Sequence, residues 1–281
     1  MHAHSVPLAM NRRSVLASAA LALPWLHWGS AHAQDATIKL CQSTALTGPL
    51  GDLGSALHQG AKAAFTAINA KGGIHGRQIV LQTLDDGYEV PRAMANLTTF
   101  LADRDCFALF NCFGTPMVEA MLPKVQETGI PFFAPYTGGQ ISRIAGARNV
   151  FNIRASYAEE AEKCIQHLAT LGIKRIAVVQ QNNTFGKEVM TGARAAMERA
   201  KLPPGSTATV ENNASDAAAA AQKLADSNPE ALLVGLAGKP ALDFIKAFRP
   251  LRPGVTLYAL SVMGTAANIK ALGAHATGVV I

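Results

Sequence analysis

IKLCQSTALTGPLGDLG at residues 38–54, ALHQGAKAAFTAINAKGGIHGR at 56–77 and QIVLQTLDD at 78–86 read as strand, glycine-rich turn, helix, glycine turn and strand. Ile38, Leu40 and Leu46 lie in or near a short apolar run, and Gly48, Pro49, Gly51 and Gly54 then supply the open backbone that turns the chain into a helix. That turn leaves backbone N–H groups at a strand's carboxyl edge. Leu57, Ala61, Ala64, Phe65 and Ile68 recur at helical spacing, a face suited to packing on a sheet. Gly72 and Gly73 stop the helix, and Gly76 leads into Ile79, Val80 and Leu81. Strand, helix and strand within the length of one crossover predict a parallel sheet.

Upstream of this unit, residues 1–33 have the layout of a removable export segment: Arg12-Arg13, an apolar stretch from Val15 to Leu26, and Ala31-His32-Ala33 as a small-residue cleavage site. The arginine pair fits a twin-arginine signal and also an ordinary secretory one. A membrane anchor fits poorly, because about 12 apolar residues interrupted by Pro24 fall short of the ~20 that a span needs. No later segment is long enough to cross a bilayer, so no membrane span is expected after signal removal. Without residues 1–33 the chain carries 23 basic and 19 acidic side chains, a net charge of +4. The basic residues are scattered with no interleaved aromatics, which argues against nucleic-acid binding.

Downstream, the alternation continues. A helix from about Val90 has Pro91 in its first turn, and a strand follows from Phe107 to Phe110. Gly114-Thr115-Pro116 opens a helix that Pro123 is expected to kink or delay, and Ile130 to Ala134 is the next strand. Val150 to Arg154 leads out of this first lobe. A second lobe then alternates helix and strand from about Ala158 to Leu272, its Ala217–Ala225 helix capped by Ser215 or Asp216. The Ala217–Ala221 run reads as a thin helix lying close on a sheet. The expected fold class is α/β, with two doubly wound parallel-sheet lobes joined by a hinge and ligands at the strands' carboxyl edges, between the lobes. The domain reading is an export segment at 1–33, a first lobe at 34–154, a second lobe at 155–277, and the start of a return crossing at 278–281.

Catalytic signatures do not emerge. The G-x-x-G-x-x-G series of Gly48, Gly51 and Gly54 is not the dinucleotide fingerprint, and no P-loop, nucleophile elbow, H-E-x-x-H or C-x-x-C occurs. His58, His75, His167 and His275 are isolated, so neither a metal nor a cofactor is expected, and no enzyme. Cys41, Cys106, Cys112 and Cys164 read as small buried hydrophobes. Cys106 and Cys112 open and close one strand, roughly 20 Å apart at ~3.3 Å per residue, and should not pair with each other. What remains is a set of strand-end loops bearing hydroxyls, glycines and aromatics: Thr44 and Thr47, Thr115, Tyr136-Thr137-Gly138, and Phe185-Gly186. Hydroxyls and free N–H groups of this kind hold a small carboxylate or amide oxygen without a formal positive charge; the alternative is that Thr115 and Thr137 only cap helices.

Leu46-Thr47-Gly48-Pro49, the run from Ile68 to Arg77, Asp85-Asp86, Gly129-Ile130-Pro131 with Pro135, and Thr184-Phe185-Gly186 together resemble the periplasmic substrate-binding proteins of ABC transporters, in the leucine/isoleucine/valine-binding branch (type I periplasmic binding proteins). The resemblance implies two lobes that close on a small-molecule ligand (an amino acid, carboxylate or amide) and an inner-membrane ABC permease as partner. It places ligand contacts at Thr115 or its neighbours and at Tyr136, Thr137 and Gly138, with Phe185 as the covering aromatic; Thr47 is a candidate contact from its strand-end loop alone. Where amino-acid binders present an acid to the ligand's ammonium, this chain reads Leu260-Ser261-Val262-Met263; where they often carry an aromatic, it reads Leu236-Ala237-Gly238-Lys239. An unpaired ammonium buried in a closed cleft would cost several kcal/mol, which disfavours a free α-amino acid. The resemblance also implies a longer protein, so the chain reads as truncated at its C-terminus, with an apolar edge of the first lobe left exposed. A periplasmic ligand sensor of the same fold, feeding a signalling receptor, is the alternative function.

Overall fold

The computed structural model describes residues 37–281; the expected export segment lies outside them. In the first lobe β1 (Ile38–Thr44), α1 (Gly51–Ala70), β2 (Ile79–Asp85), α2 (Val90–Ala102), β3 (Cys106–Phe110), α3 (Thr115–Thr128), β4 (Phe132–Phe133) and β5 (Val150–Phe151) alternate along the chain. The second lobe holds α4 (Tyr157–Thr170), β6 (Ile176–Gln181), α5 (Thr184–Arg199), β7 (Thr207–Val210), α6 (Ala217–Asp226), β8 (Ala231–Gly235), α7 (Gly238–Leu251), β9 (Thr256–Ala259), α8 (Ala266–Leu272) and β10 (Val279–Val280). Each lobe is built on a five-stranded sheet, in the orders β2-β1-β3-β4-β5 and β10-β9-β8-β6-β7. Every strand pair is parallel, as the opening unit predicts.

The strand orders locate the functional edge. Chain order reverses between β1 and β3 in one sheet and between β6 and β8 in the other, and crevices for ligands open at such switch points. The turn after β1 is tight at Gly54, where an added Cβ would lie 1.9 Å from the Ala45 carbonyl oxygen. Helix α3 starts at Thr115 and runs through Pro123, so this proline neither delays nor ends it. The cap expected for α6 is absent: Asp216 holds the N-cap position, but its carboxylate accepts the Glu211 N–H instead. Ala217, Ala220, Ala221 and Leu224 of this helix are buried against Val210, Leu232, Val234 and Phe244, the close seating that small side chains allow. Residues 279–280, in the stretch expected to begin a return to the first lobe, pair with β9 and complete the second sheet.

The apolar core is continuous between lobes: one cluster holds Cys41, Leu109, Met117 and Phe132 of the first together with Tyr157, Phe185, Met190 and Leu233 of the second. The first sheet also carries exposed apolar surface. Phe133 and Phe151 lie side by side in the β4–β5 register, each nearly half exposed, and Ile153 just beyond them is 70% exposed. Leu57, Phe65 and Ile68 of α1 are only half-buried, so the helix covers its sheet incompletely.

The cysteine reading needs correction at one pair. Cys41 and Cys106 form a disulfide between β1 and β3, with Cα atoms 6.1 Å apart. The two strands are direct neighbours in the sheet, with Lys39 facing Cys106 and Cys41 facing Leu109 across a local irregularity between Lys39 and Leu40. The adjacency of β1 and β3 is a product of topology, invisible in the spacing of the two cysteines along the chain. Cys112 and Cys164 are free thiols, and burial pushes them up to about 12 and about 11 respectively.

Candidate functional site

Two loops of the first lobe are zipped together beyond the ends of their strands. The Tyr136 N–H donates to the Cys112 carbonyl (2.8 Å) and the Gly114 N–H to the Tyr136 carbonyl (3.2 Å), extending the pairing of β3 and β4 into the loops that follow them. This zipper brings Thr115 against Thr137: their hydroxyl oxygens are 2.8 Å apart, with both residues almost fully buried. Thr137 Oγ1 also accepts the Gly139 N–H at 3.0 Å, whereas Thr115 makes no capping bond, its helix being capped by Gly114. Capping therefore does not account for the Thr115 hydroxyl.

The second lobe meets this pair through Tyr157, a residue that sequence reasoning did not single out. Its hydroxyl lies 3.5 Å from Thr115 Oγ1 and its N–H donates to the Gly138 carbonyl at 2.8 Å. Gly138 is required here, since a Cβ would come within 2.6 Å of the Tyr157 ring. The tyrosine is fixed as the first residue of α4 by a capping box between Ser156 and Glu159, a signal legible in the Ser-Tyr-Ala-Glu spelling. Phe185, in the first turn of α5, packs edge-on against Tyr157 with ring centroids 4.9 Å apart. Asn183 caps that helix through the Gly186 N–H and reaches Tyr88 of the first lobe, Nδ2 to hydroxyl 3.5 Å. Tyr88 adopts φ 66°, and its ring meets Phe113, which in turn meets Tyr136. Burial raises the Tyr88 hydroxyl well above the usual phenol range, and it also raises Tyr136, with Arg154 opposing the shift there. Five aromatic rings thus wall the junction around a cluster of hydroxyls.

Thr115, Tyr136, Thr137, Gly138 and Phe185 are therefore gathered around Tyr157, whereas Thr47 belongs to a different network. Its hydroxyl donates to Asp85 at 2.6 Å, and the same carboxylate accepts the Leu46 and Gly87 N–H groups and pairs with Arg92. Partial burial raises the Asp85 pKa, but the hydrogen bonds from Thr47, Gly87, Leu46 and Arg92 outweigh it and hold this carboxyl far below the usual range. Thr47 lines an interlobe crevice of about 380 Å³ shared with Gly238, Lys239 and Leu242, where the Lys239 N–H donates to the Pro49 carbonyl at 2.9 Å. Gly238 and Lys239, noted in the sequence as a departure from the amino-acid binders, act here as a backbone contact between lobes.

The end of β9 carries an acid that the linear sequence concealed. Glu160 of α4 accepts the Ser261 N–H at 2.8 Å and the Ser261 hydroxyl at 3.1 Å, and it pairs with Arg154 at 3.2 Å. Its charge is neutralised by that arginine. A larger cavity, about 920 Å³, lies elsewhere in the second lobe between α5 and β7, lined by Val178, Met190, Met197, Leu202 and Pro203. Arg194, Glu198, Lys201 and Thr207 also line it, but it lies within the second lobe and away from the junction of the lobes, which makes it the weaker candidate for a ligand held between them.

The fold has counterparts among known proteins. Residues 37–281 match the periplasmic binding protein family model. A Leu/Ile/Val-binding protein homologue from Brucella melitensis is 25% identical over 74% of this chain and 56% of its own length. Crystal structures of a possible leucine/isoleucine/valine-binding protein from Rhodopirellula baltica and of a substrate-binding periplasmic protein from Ralstonia solanacearum superpose with TM-scores of 0.81 and 0.80. Each is 30% identical, over 87% and 86% of this chain and 68% and 69% of theirs. The chain belongs to the periplasmic binding protein family, as a type I member of the leucine/isoleucine/valine-binding group. It spans about half the length of the curated relatives it matches. No helix among the described residues is long and apolar enough to cross a membrane.

Proposed function

We propose that this chain is the periplasmic solute-binding component of a branched-chain-amino-acid-type ABC uptake system, capturing a small polar or carboxylate metabolite between its lobes without turnover. The observation that carries this reading is the buried Thr115–Thr137 hydroxyl pair, met by the Tyr157 hydroxyl at the junction of the lobes beneath Phe185. Hydroxyls and loop N–H groups hold a carboxylate or amide oxygen, and the aromatic wall covers an apolar body. Thr115, Tyr136, Thr137, Gly138 and Phe185 are the proposed contacts, with Thr47 at the rim. Closure presents a joint surface of both lobes to an inner-membrane ABC permease, and residues 1–33 direct export to the periplasm. A thermal-shift screen against amino acids, aromatic and aliphatic acids, amides and urea tests the reading. A ligand at 100 times its Kd should contribute about 2.7 kcal/mol of stability and raise the melting point. A ligand that binds but is recovered chemically altered refutes capture without turnover.

A further inference from the structure

Arg154 lies in the connector between β5 and α4, where the chain passes from one lobe to the other. Its guanidinium carbon is 4.6 Å from the ring centre of Tyr136 and 5.7 Å from that of Tyr157, so the cation is set among the aromatic walls of the site. Nη2 is committed to Glu160 and to the Ser261 hydroxyl. The guanidinium also interacts with the Tyr136 hydroxyl, yet Nη1 is sealed from solvent and has no acceptor in full bonding geometry. A buried donor of a charged group left unmatched is costly, and native proteins keep such groups where something else supplies the acceptor. The nearby Glu160 carboxylate accepts from Ser261 and from Nη2 and is not within bonding geometry of Nη1. The connector itself is held by Arg143, whose guanidinium donates to the Gly139 and Arg154 carbonyls at 2.9 and 2.6 Å, so the position of Arg154 is set by the loop that carries Thr137.

We infer that Arg154 determines the specificity of this cleft, and that its ligand is an aromatic carboxylate without an ammonium group. The inference rests on the solute-capture reading above and narrows it. As the lobes move on ligand entry, Nη1 donates to the ligand's carboxylate, which gives the stranded donor its acceptor. The rings of Tyr136, Tyr157 and Phe185 flank an aromatic body. Ser261, in place of an acid, and Glu160, already neutralised, leave an ammonium without a counter-charge.

The test is isothermal titration of the full chain with 4-hydroxybenzoate, cinnamate, their neutral amides, L-phenylalanine and L-leucine. The expected result is at least one acid bound ten-fold or more tighter than its own amide and than either amino acid. Arg154→Gln should bring acid and amide within about two-fold of each other while amide affinity is kept, which also shows that the variant is folded. Arg154→Lys should retain part of the preference. Tightest binding of an amide or an amino acid by the wild-type chain, or an undiminished acid preference in Arg154→Gln, overturns this inference and leaves solute capture standing. No heat with any of the six compounds overturns the inference, and when no compound of the wider thermal-shift screen binds either, the capture reading falls with it.

Discussion

Replacing Thr115 by valine removes one hydroxyl from the centre of the proposed site at almost constant volume. In the unliganded chain the loss is limited: Thr137 Oγ1 gives up its 2.8 Å partner but keeps the Gly139 N–H, and Tyr157 loses a contact of 3.5 Å. One net hydrogen bond in a buried setting contributes about 1 kcal/mol, so the unfolding midpoint should shift only modestly. Binding should suffer more, because a ligand oxygen placed against the valine methyl is desolvated without a donor, at about 1–3 kcal/mol. That range corresponds to roughly 5- to 150-fold in Kd by calorimetry with the tightest ligand of the thermal-shift screen. Thr137→Val should act on the same ligand oxygen, so the double variant should fall short of the sum of the two single losses. Unchanged affinity in both single variants would refute the assignment of these hydroxyls to ligand binding.

Three further outcomes follow from the same geometry. The Cys41–Cys106 disulfide spans a sequence separation of 65 residues, for which the chain-entropy model gives about 4 kcal/mol; Cys41→Ala with Cys106→Ala should therefore lower urea stability by about 2–4 kcal/mol. Thiol titration of the denatured, unreduced chain should count two groups, Cys112 and Cys164, and a count of four would refute the pairing. Asp85, with its folded pKa depressed, adds stability that is fully present above the ordinary carboxylate pKa and is lost as pH falls through the folded value. Asp85→Asn should accordingly flatten the acid limb of the stability profile below about pH 4, and identical profiles would contradict the network around Thr47. Gly138→Ala forces a methyl into the Tyr157 ring, and it should weaken ligand affinity at least ten-fold by calorimetry even where the melting point stays within a few degrees; wild-type affinity would show that Tyr157 does not shape the site.

Much of this architecture is legible in the sequence, for physical reasons that differ from element to element. The glycine turn at residues 48–54 and the helical spacing from Leu57 to Ile68 define a crossover unit locally, and local signals specify it. Thr115, Tyr136, Thr137 and Gly138 could be placed on one edge because each follows a strand in a parallel sheet. Their convergence on Tyr157 could not be seen, since it depends on a backbone zipper between loops more than 20 residues apart in sequence. Glu160 is helical and polar, indistinguishable in the sequence from a solvated residue, and only the stacking of α4 beside the end of β9 turns it toward Ser261. The same non-local geometry hid Arg154 and the Cys41–Cys106 bridge. Phe133 and Phe151 agree with the expectation of an exposed apolar edge in the first lobe: β5 ends the sheet, and both rings are nearly half exposed.

The most direct test of the central claim is a crystal structure of the chain bound to the tightest ligand of the thermal-shift screen. The account predicts ligand density at the junction of the lobes, within hydrogen-bonding distance of Thr115 and Thr137 and covered by Phe185. Density in the cavity between α5 and β7, beside Met190 and Met197, with the threonine pair untouched, would contradict it.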